Sequence, residues 1–271
     1  MLLVIDVGNT NTSLGVYRGD DLLAHWRLTT NPGRTVDEYG VHSRNLFELA
    51  HLDFKDIEAI AIASVVPPLN YTLKRMAEVY FHLTPLFVDH TTNTGLHILY
   101  EPASDVGADR IVDAVAAVHS YGAPCIVVDF GTATTFNAIN SKCEYLGGVI
   151  TPGIMVSSEA LFARTAKLPR VDIKRPHRVI GSSTVAAMQS GLYYGYVGLV
   201  DGVLDRMIGE MDSPPHIIAT GGLAPLIATG SKFIETVDET LTLLGLRLVY
   251  ARVGGPASED GVPDRRERET R

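Results

Sequence analysis

The sequence predicts an α/β protein of two repeated halves, each built on a mixed sheet, facing one another across a cleft. The first observation behind this is a pair of turns, Val4-Ile5-Asp6-Val7-Gly8-Asn9-Thr10 and Val127-Val128-Asp129-Phe130-Gly131-Thr132-Ala133. Each is an apolar run ending in Asp, one hydrophobe, Gly, then hydroxyl or amide side chains. The second is register: Asp6 and Asp129 are 123 positions apart, and so are Thr12 and Thr135. The third is that each turn opens the same series of three short strands followed by helix.

A single Asp-x-Gly turn is common at ordinary hairpins. Two in register, near the start of each half, suggest a duplicated unit gripping one polyanion from both sides. Gly permits close backbone approach, and the Asn and Thr groups that follow offer donors to an oxyanion. That points to a nucleoside triphosphate.

The first half reads as strands over 2–7, 12–18 and 22–29, the last two joined by Gly19-Asp20-Asp21. This is a meander, not the strand-then-helix of a P-loop or dinucleotide-binding unit. A helix over about 36–50 follows, with Thr35 and Glu38 forming a capping box. A strand over 58–64 ends at Val65-Val66-Pro67-Pro68, a helix over about 69–81 follows the prolines, and 86–88 is a short strand. The second half opens with a helix over about 109–121, stopped by Gly122. It repeats the meander at 124–130, 133–140 and 144–150. Helical stretches over 154–165 and 183–209 come next, the second with glycines at 191, 195 and 198 that would allow close helix contacts. A strand over 215–219 meets Thr220-Gly221-Gly222, and a last helix covers about 238–252. The organisation expected is one half over 1–106, a second over 107–258, and a charged, disordered tail over 259–271.

Composition narrows the function classes. With 23 basic and 31 acidic residues the net charge is −8, and no dense basic stretch precedes the last few residues. Duplex nucleic acid is therefore not the expected partner. No apolar run approaches the roughly 18 to 20 residues that cross a bilayer, and no signal peptide is evident, so no membrane association and a cytoplasmic location are expected. Cys125 lies in an apolar strand and Cys143 in a turn; nothing suggests a disulfide framework.

Two βββαβα-like halves match the duplicated ribonuclease H-like ATPase fold of actin, chaperone ATPases and the acetate and sugar kinases. In that fold the turns Asp6–Thr10 and Asp129–Thr135 form opposite walls of a phosphate site. Asp6 suits Mg²⁺, directly or through water, because Mg²⁺ takes few carboxylates and keeps much of its hydration. Asn9, Thr10, Thr132, Thr134 and the amides near Gly8 and Gly131 can donate to phosphate oxygens. Alternatively, each turn is ordinary side-chain-to-backbone bonding. Gly107-Ala108-Asp109-Arg110 opens a helix. Asp109 is either a helix N-cap, or a carboxylate that orients and receives an alcohol proton beside a cation near the transferring phosphoryl group. Gly147-Gly148 permits close approach of backbone or ligand, and Gly221-Gly222 would leave bare backbone for an adenine.

Taken together, Asp6-Val7-Gly8-Asn9-Thr10-Asn11, Ser64-Val65-Val66-Pro67, Gly107-Ala108-Asp109-Arg110, Asp129-Phe130-Gly131-Thr132-Ala133-Thr134-Thr135, Gly147 to Gly153 and Thr220-Gly221-Gly222 resemble the type III pantothenate kinases in order and spacing. The segments 189–195 and 241–246 also look like that family, and the resemblance spans about residues 2–252. It implies phosphorylation of pantothenate by ATP, the first committed step of coenzyme A synthesis. It also implies a bacterial homodimer that needs Mg²⁺ and a monovalent cation, K⁺ or NH₄⁺. By the resemblance Asp109 is the general base, Arg110 contacts pantothenate or phosphate, and Asp129 ligates the monovalent cation. Tyr100 lines the pantothenate pocket with Gly107 and Ala108. Thr184 reaches the partner subunit's pantothenate, where apolar and small residues (Leu192, Tyr193, Gly195, Val197, Gly198, Leu199) exceed the needs of one core. Asp6, Val7, Gly8, Asn9, Thr10, Asn11, Gly131, Thr132, Thr134, Gly221 and Gly222 form the ATP site. Competing readings are another kinase or phosphohydrolase of this fold, and a non-enzymatic regulatory relative.

Overall fold

The chain is a computed structural model in which residues 1–254 are described. The charged tail expected over 259–271 lies outside the described residues. The first sheet takes β1 (Leu2–Val7), β2 (Asn11–Arg18), β3 (Asp21–Thr29), β4 (Ala59–Ser64) and β5 (Leu86–Val88) in the order β3-β2-β1-β4-β5. The second takes β6 (His97–Ile98), β7 (Cys125–Phe130), β8 (Ala133–Ile139), β9 (Glu144–Pro152), β10 (His216–Thr220) and β11 (Thr236–Val237) in the order β11-β10-β7-β8-β9-β6. Apart from β6, an added edge strand, the two orders are the same. Each has an antiparallel meander and then parallel strands beside its first strand. The duplicated fold expected from the sequence is the one observed.

The helices form where the sequence supplies ends and apolar faces. Thr35 caps α1 (Val36–Leu49) through the expected box with Glu38. Pro67 and Pro68 occupy the first turn of α2 (Pro67–Met76) rather than preceding it; the N–H groups of a first turn have no intrahelical acceptor, so nothing is lost there. A π-helical turn, Ala77–Phe81, completes that stretch. The remaining helices are α3 (Ala108–Tyr121), α4 (Ile154–Arg164), α5 (Thr184–Glu210), α6 (Ala224–Ala228) and α7 (Leu241–Val253). The short elements β6, α6 and β11 escape sequence reading because two to five residues carry too little periodicity.

Two helices are sandwiched between the sheets, and the others cover the outer faces. Helices α1 and α2 cover one face of the first sheet, with Tyr39, Phe47, Leu69 and Leu73 against Leu3, Ile5 and Val7. Helix α5 covers the outer face of the second, with Tyr193, Val197 and Val200 against Ile126 and Val128. Leu192, Tyr193 and Val197 are thus buried within their own half. Among the described residues, nothing lies within 4 Å of where a Cβ at Gly191, Gly195 or Gly198 would stand outside the helix itself, so the close helix contacts expected there are not made among them. Between the sheets lie α3 and α7, packed on one another. Helix α3 sets Ile111, Ala114 and Ala117 against Cys125, Val127 and Ile218 of the second sheet. Helix α7 sets Leu243, Leu246 and Val249 against Val4, Ala61 and Ala63 of the first.

Candidate active site

Strand alternation aims the two key aspartates at each other. Val4 faces α7, and Asp6, two residues on, shares its face; Val127 faces α3, and Asp129 does likewise. Both carboxylates therefore emerge at strand ends, beside the N-terminus of the helix that lies between the sheets. Asp109 sits in the first turn of that helix, whose N-cap is Gly107, so Asp109 is not an N-cap. Its Oδ1 accepts the Arg110 backbone N–H at 2.8 Å. A Cβ on Gly107 would lie 2.5 Å from that same oxygen and 3.3 Å from the Val65 side chain. Glycine here lets the carboxylate fold back over the loop.

The electrostatics record the convergence. Burial raises Asp6 well above the usual carboxylate range, the Asp109 and Asp129 charges raise it further, and the Arg27 guanidinium opposes them. Burial, then the Asp109 charge, pushes Asp129 up to about 7, again against Arg27. Asp109 is raised by burial and held back by the Arg110 N–H and guanidinium. A fourth carboxylate, Asp113, one turn further along α3, is raised well above its ordinary value by burial and by Asp129, Asp109 and Asp6. The sequence reading missed Asp113, although its spacing of four from Asp109 on a helix was the signal.

It also missed Arg27. Register lines up Asp6 with Ser13 and Ser13 with Arg27 across β1, β2 and β3, so the three share one face. Arg27 Nη1 reaches within 3.0 Å of where a Gly222 Cβ would stand. An isolated Arg in a strand gave no sequence cue.

The two turns meet, but not in the register the sequence suggested. Val7 pairs with Thr12, whereas Phe130 pairs with Thr134. The first loop is one residue longer, so Thr134, not Thr135, is the structural counterpart of Thr12. Thr134 is buried and its hydroxyl bonds the Tyr196 hydroxyl, away from the turns. Gly8 N–H donates to Asn11 O at 3.0 Å and Gly131 N–H to Ala133 O at 3.1 Å. Those two amides close the turns and are not free for phosphate. What the turns present to each other are the hydroxyls of Thr10 and Thr132, 2.6 Å apart, with Asn9 and Asn11 exposed beside Thr10. Gly221, at φ +90°, lies against Asp129, where a Cβ would be 2.5 Å from Oδ1.

On the other side of Asp109 a second group assembles. Tyr100 lies over Gly147, whose Cβ would be 3.1 Å from the ring. Arg110 is buried, its Nε donating to Asn137 Oδ1 at 2.6 Å. Gly148 serves backbone packing, since a Cβ there would sit 1.6 Å from Phe136 O. Thr184 stands apart from all of these, exposed at the first position of α5. A separate depression of about 690 Å³, lined by Met1, Tyr17, Asp20, Arg247 and Tyr250, opens at the opposite end of the first sheet and holds none of the expected site residues.

The described type III pantothenate kinase family model matches residues 2–206. A type III pantothenate kinase of Koribacter versatilis is 57% identical over 262 residues, covering 93% of this chain and 96% of that one. One from Halalkalibacterium halodurans is 55% identical over 252 residues, covering 93% and 99%. The chain belongs to the type III pantothenate kinase family. Solved structures at low identity show the shared fold. They include a protein of Campylobacter jejuni described as a Baf family transcriptional activator (TM-score 0.57, 19% identity, 92% and 98% covered). A second, of Sinorhizobium meliloti, is described as a 2-dehydro-3-deoxygalactonokinase (TM-score 0.56, 12% identity, 95% and 98% covered).

As a type III pantothenate kinase the protein phosphorylates pantothenate with ATP, the entry to coenzyme A synthesis. ATP-dependent kinases of this kind work with a divalent metal such as Mg²⁺. Among the described residues no three His, Cys, Asp or Glu side chains gather closely enough to hold a metal ion by themselves. Mg²⁺ keeps much of its hydration and takes few carboxylates, and Asp6 has the donor chemistry for it. Bound there, it would neutralise charge on the phosphates. No helix among the described residues is long and apolar enough to cross a membrane.

Proposed function

We propose that the junction of the two turns with the N-terminus of α3 is the phosphoryl-transfer site. Thr10 and Thr132 hold ATP, together with Asn9, Asn11 and the bare backbone at Gly221 and Gly222. Asp109 serves the alcohol, and Tyr100, Gly107, Ala108 and Arg110 hold pantothenate. The observation that carries this is the convergence of Asp6, Asp109 and Asp129 from three separate elements. All three carboxylates are raised by burial, and Asp6 and Asp129 also by neighbouring carboxylate charge; such an anionic pocket favours cations, and Arg27 offers the triphosphate a guanidinium.

Asp109 cannot ionise a primary alcohol in advance, because even a raised carboxyl pKa lies far below that of the alcohol. In a loose phosphoryl-transfer transition state the proton leaves late. Asp109 Oδ1 is fixed by the Arg110 N–H; its other oxygen orients the hydroxyl in line and accepts the proton as the O–P bond forms. Alignment and charge neutralisation supply the larger part of the acceleration.

The reading includes Asp129 as ligand of a monovalent cation, K⁺ or NH₄⁺, supported by its position beside Gly221 and the carboxylate field around it. It includes a homodimer. Ile150, Met155, Val156, Phe162, Val179 and Ile180 are all exposed and fall within one stretch of chain, next to the open glycine face of α5. Thr184 borders that stretch and would complete the partner's pocket. It also includes a cytoplasmic location without a nucleic-acid partner, in keeping with the net charge of −8.

A coupled ADP-release assay tests the core of it. ADP release should require pantothenate and Mg²⁺ and be faster in K⁺ or NH₄⁺ than in Na⁺. Equal rates in Na⁺ alone would remove the monovalent site. A fully active monomer in analytical ultracentrifugation would remove the shared pocket.

A further inference from the structure

Arg110 is 6% exposed, yet no carboxylate lies within ion-pair distance of its guanidinium among the described residues. Its buried partner is a neutral amide. Asn137, fully buried, accepts Arg110 Nε at 2.6 Å and the Tyr145 hydroxyl at 2.9 Å, both on Oδ1. The Asn137 amide donates to Thr135 Oγ1 at 3.3 Å, which fixes which end of the amide faces Arg110. The Tyr145 ring also lies beneath the guanidinium, 5.9 Å from its centre. With Nε so engaged, Arg110 Nη2 is buried without a partner among the described residues, next to Gly148, where a Cβ would be 3.2 Å away. Buried N–H donors of a charged group are costly to leave unpaired, so such an atom beside a substrate site is placed to donate to an oxygen there.

The place of that atom says which ligand. Asp129 pairs with Thr135, and Asn137 lies two residues further from the turn on the same face of β8, roughly 7 Å along the strand. Gly148 is on β9, towards Tyr100, on the side of the sheet away from β10 and Gly221. Nη2 therefore belongs with the Tyr100 side of the site and not with the two phosphate turns.

We propose that Asn137 and Tyr145 are positioning residues that lock the Arg110 guanidinium so that Nη2 donates to an oxygen of the acceptor substrate. This rests on the assignment of Arg110 to the pantothenate pocket. The Asn137–Tyr145 pair acts on pantothenate only through Arg110, and ATP is held independently of it.

The test uses the full-length enzyme with pantothenate and ATP varied separately. Asn137→Leu, close in size but without the acceptor oxygen, should raise KM for pantothenate about 10- to 100-fold while KM for ATP stays within about 2-fold. Tyr145→Phe keeps the ring and removes one hydroxyl, and should raise the same KM by only about 3-fold; it is the fallback if the Leu variant does not fold. Calorimetric pantothenate binding in an Arg110→Ala background should be changed less than about 2-fold by Asn137→Leu, an effect that a purely structural Asn137 would not show. Unchanged KM for pantothenate in both variants, parallel rises for both substrates, or additive losses with Arg110→Ala would overturn the proposal. A wild-type enzyme inert towards pantothenate would instead overturn the activity, and this proposal with it.

Discussion

The hydroxyl oxygens of Thr10 and Thr132 lie 2.6 Å apart, joining two turns that are 122 residues apart in the chain. Each hydroxyl is exposed at the tip of a hairpin whose own glycine amide is already used. This contact is where the two repeats meet in front of Asp6 and Asp129, and it sets the first of the tests.

Replacing Thr132 with Val removes one donor to a phosphate and the bridge to Thr10 while keeping the β-branched shape. A hydrogen bond to a charged group contributes roughly 1.5–3 kcal/mol. KM for ATP should rise by at least about 10-fold, with KM for pantothenate nearly unchanged. Steady-state kinetics with each substrate varied in turn would show it. An unaltered ATP dependence would remove the turn from the nucleotide site.

Asp109→Asn keeps shape and hydrogen bonding but loses basicity. General base catalysis supplies about 10²- to 10⁴-fold, so kcat should fall by that factor, about 2.7 to 5.4 kcal/mol of barrier. Because Gly107 and not Asp109 caps the helix, the melting temperature should hardly move. Turnover and melting on one preparation decide the matter: a near-normal kcat would end the catalytic assignment.

Gly107→Ala tests whether the carboxylate needs its bend. The new Cβ would press on Asp109 Oδ1 and on Val65, displacing the acid from the alcohol. A 1 Å misplacement of a catalytic group can cost about 10²-fold. We expect kcat to drop at least about 10-fold with ATP affinity retained, measured by kinetics and nucleotide titration. Full activity would mean that the acid tolerates displacement.

Asp113 gives a signature in stability against pH. Its folded-state pKa is raised by burial and three neighbouring carboxylates, so the folded protein holds a proton that the unfolded chain releases. The associated stability is present below the ordinary carboxylate pKa and is lost as pH rises through the folded value. Asp113→Asn removes the charge and should stabilise the metal-free enzyme at pH 8 by about 1–3 kcal/mol, with the gain fading as pH falls towards the ordinary carboxylate value of about 4. Denaturant unfolding of both proteins across that range would test it. A gain independent of pH, or a loss at pH 8, would refute the proton assignment.

Much of this architecture was legible in the sequence because it is local. The capping box at Thr35 and Glu38, the apolar strands, and the repeated Asp-hydrophobe-Gly wording all depend on neighbours within a few residues, as backbone propensity and side-chain period do. The repeated turns pair Asp6 with Asp129, and the resemblance carried by Gly107-Ala108-Asp109-Arg110 adds Asp109 to the same candidate site.

What the tertiary structure decided depends on contacts between distant segments. The packing of α3 and α7 between the two sheets brings Asp113 into the acid group. The second hairpin loop is one residue shorter than the first, so Thr134, and not Thr135, takes the place of Thr12, and its hydroxyl meets Tyr196. Strand pairing sets Arg27 in the row of Asp6, and burial beneath β9 leaves Arg110 with Asn137 as its hydrogen-bonding partner. Sequence determines which elements form and which residues end them; only their packing determines which polar groups are desolvated together, and desolvation is what turns four ordinary aspartates into one coupled site.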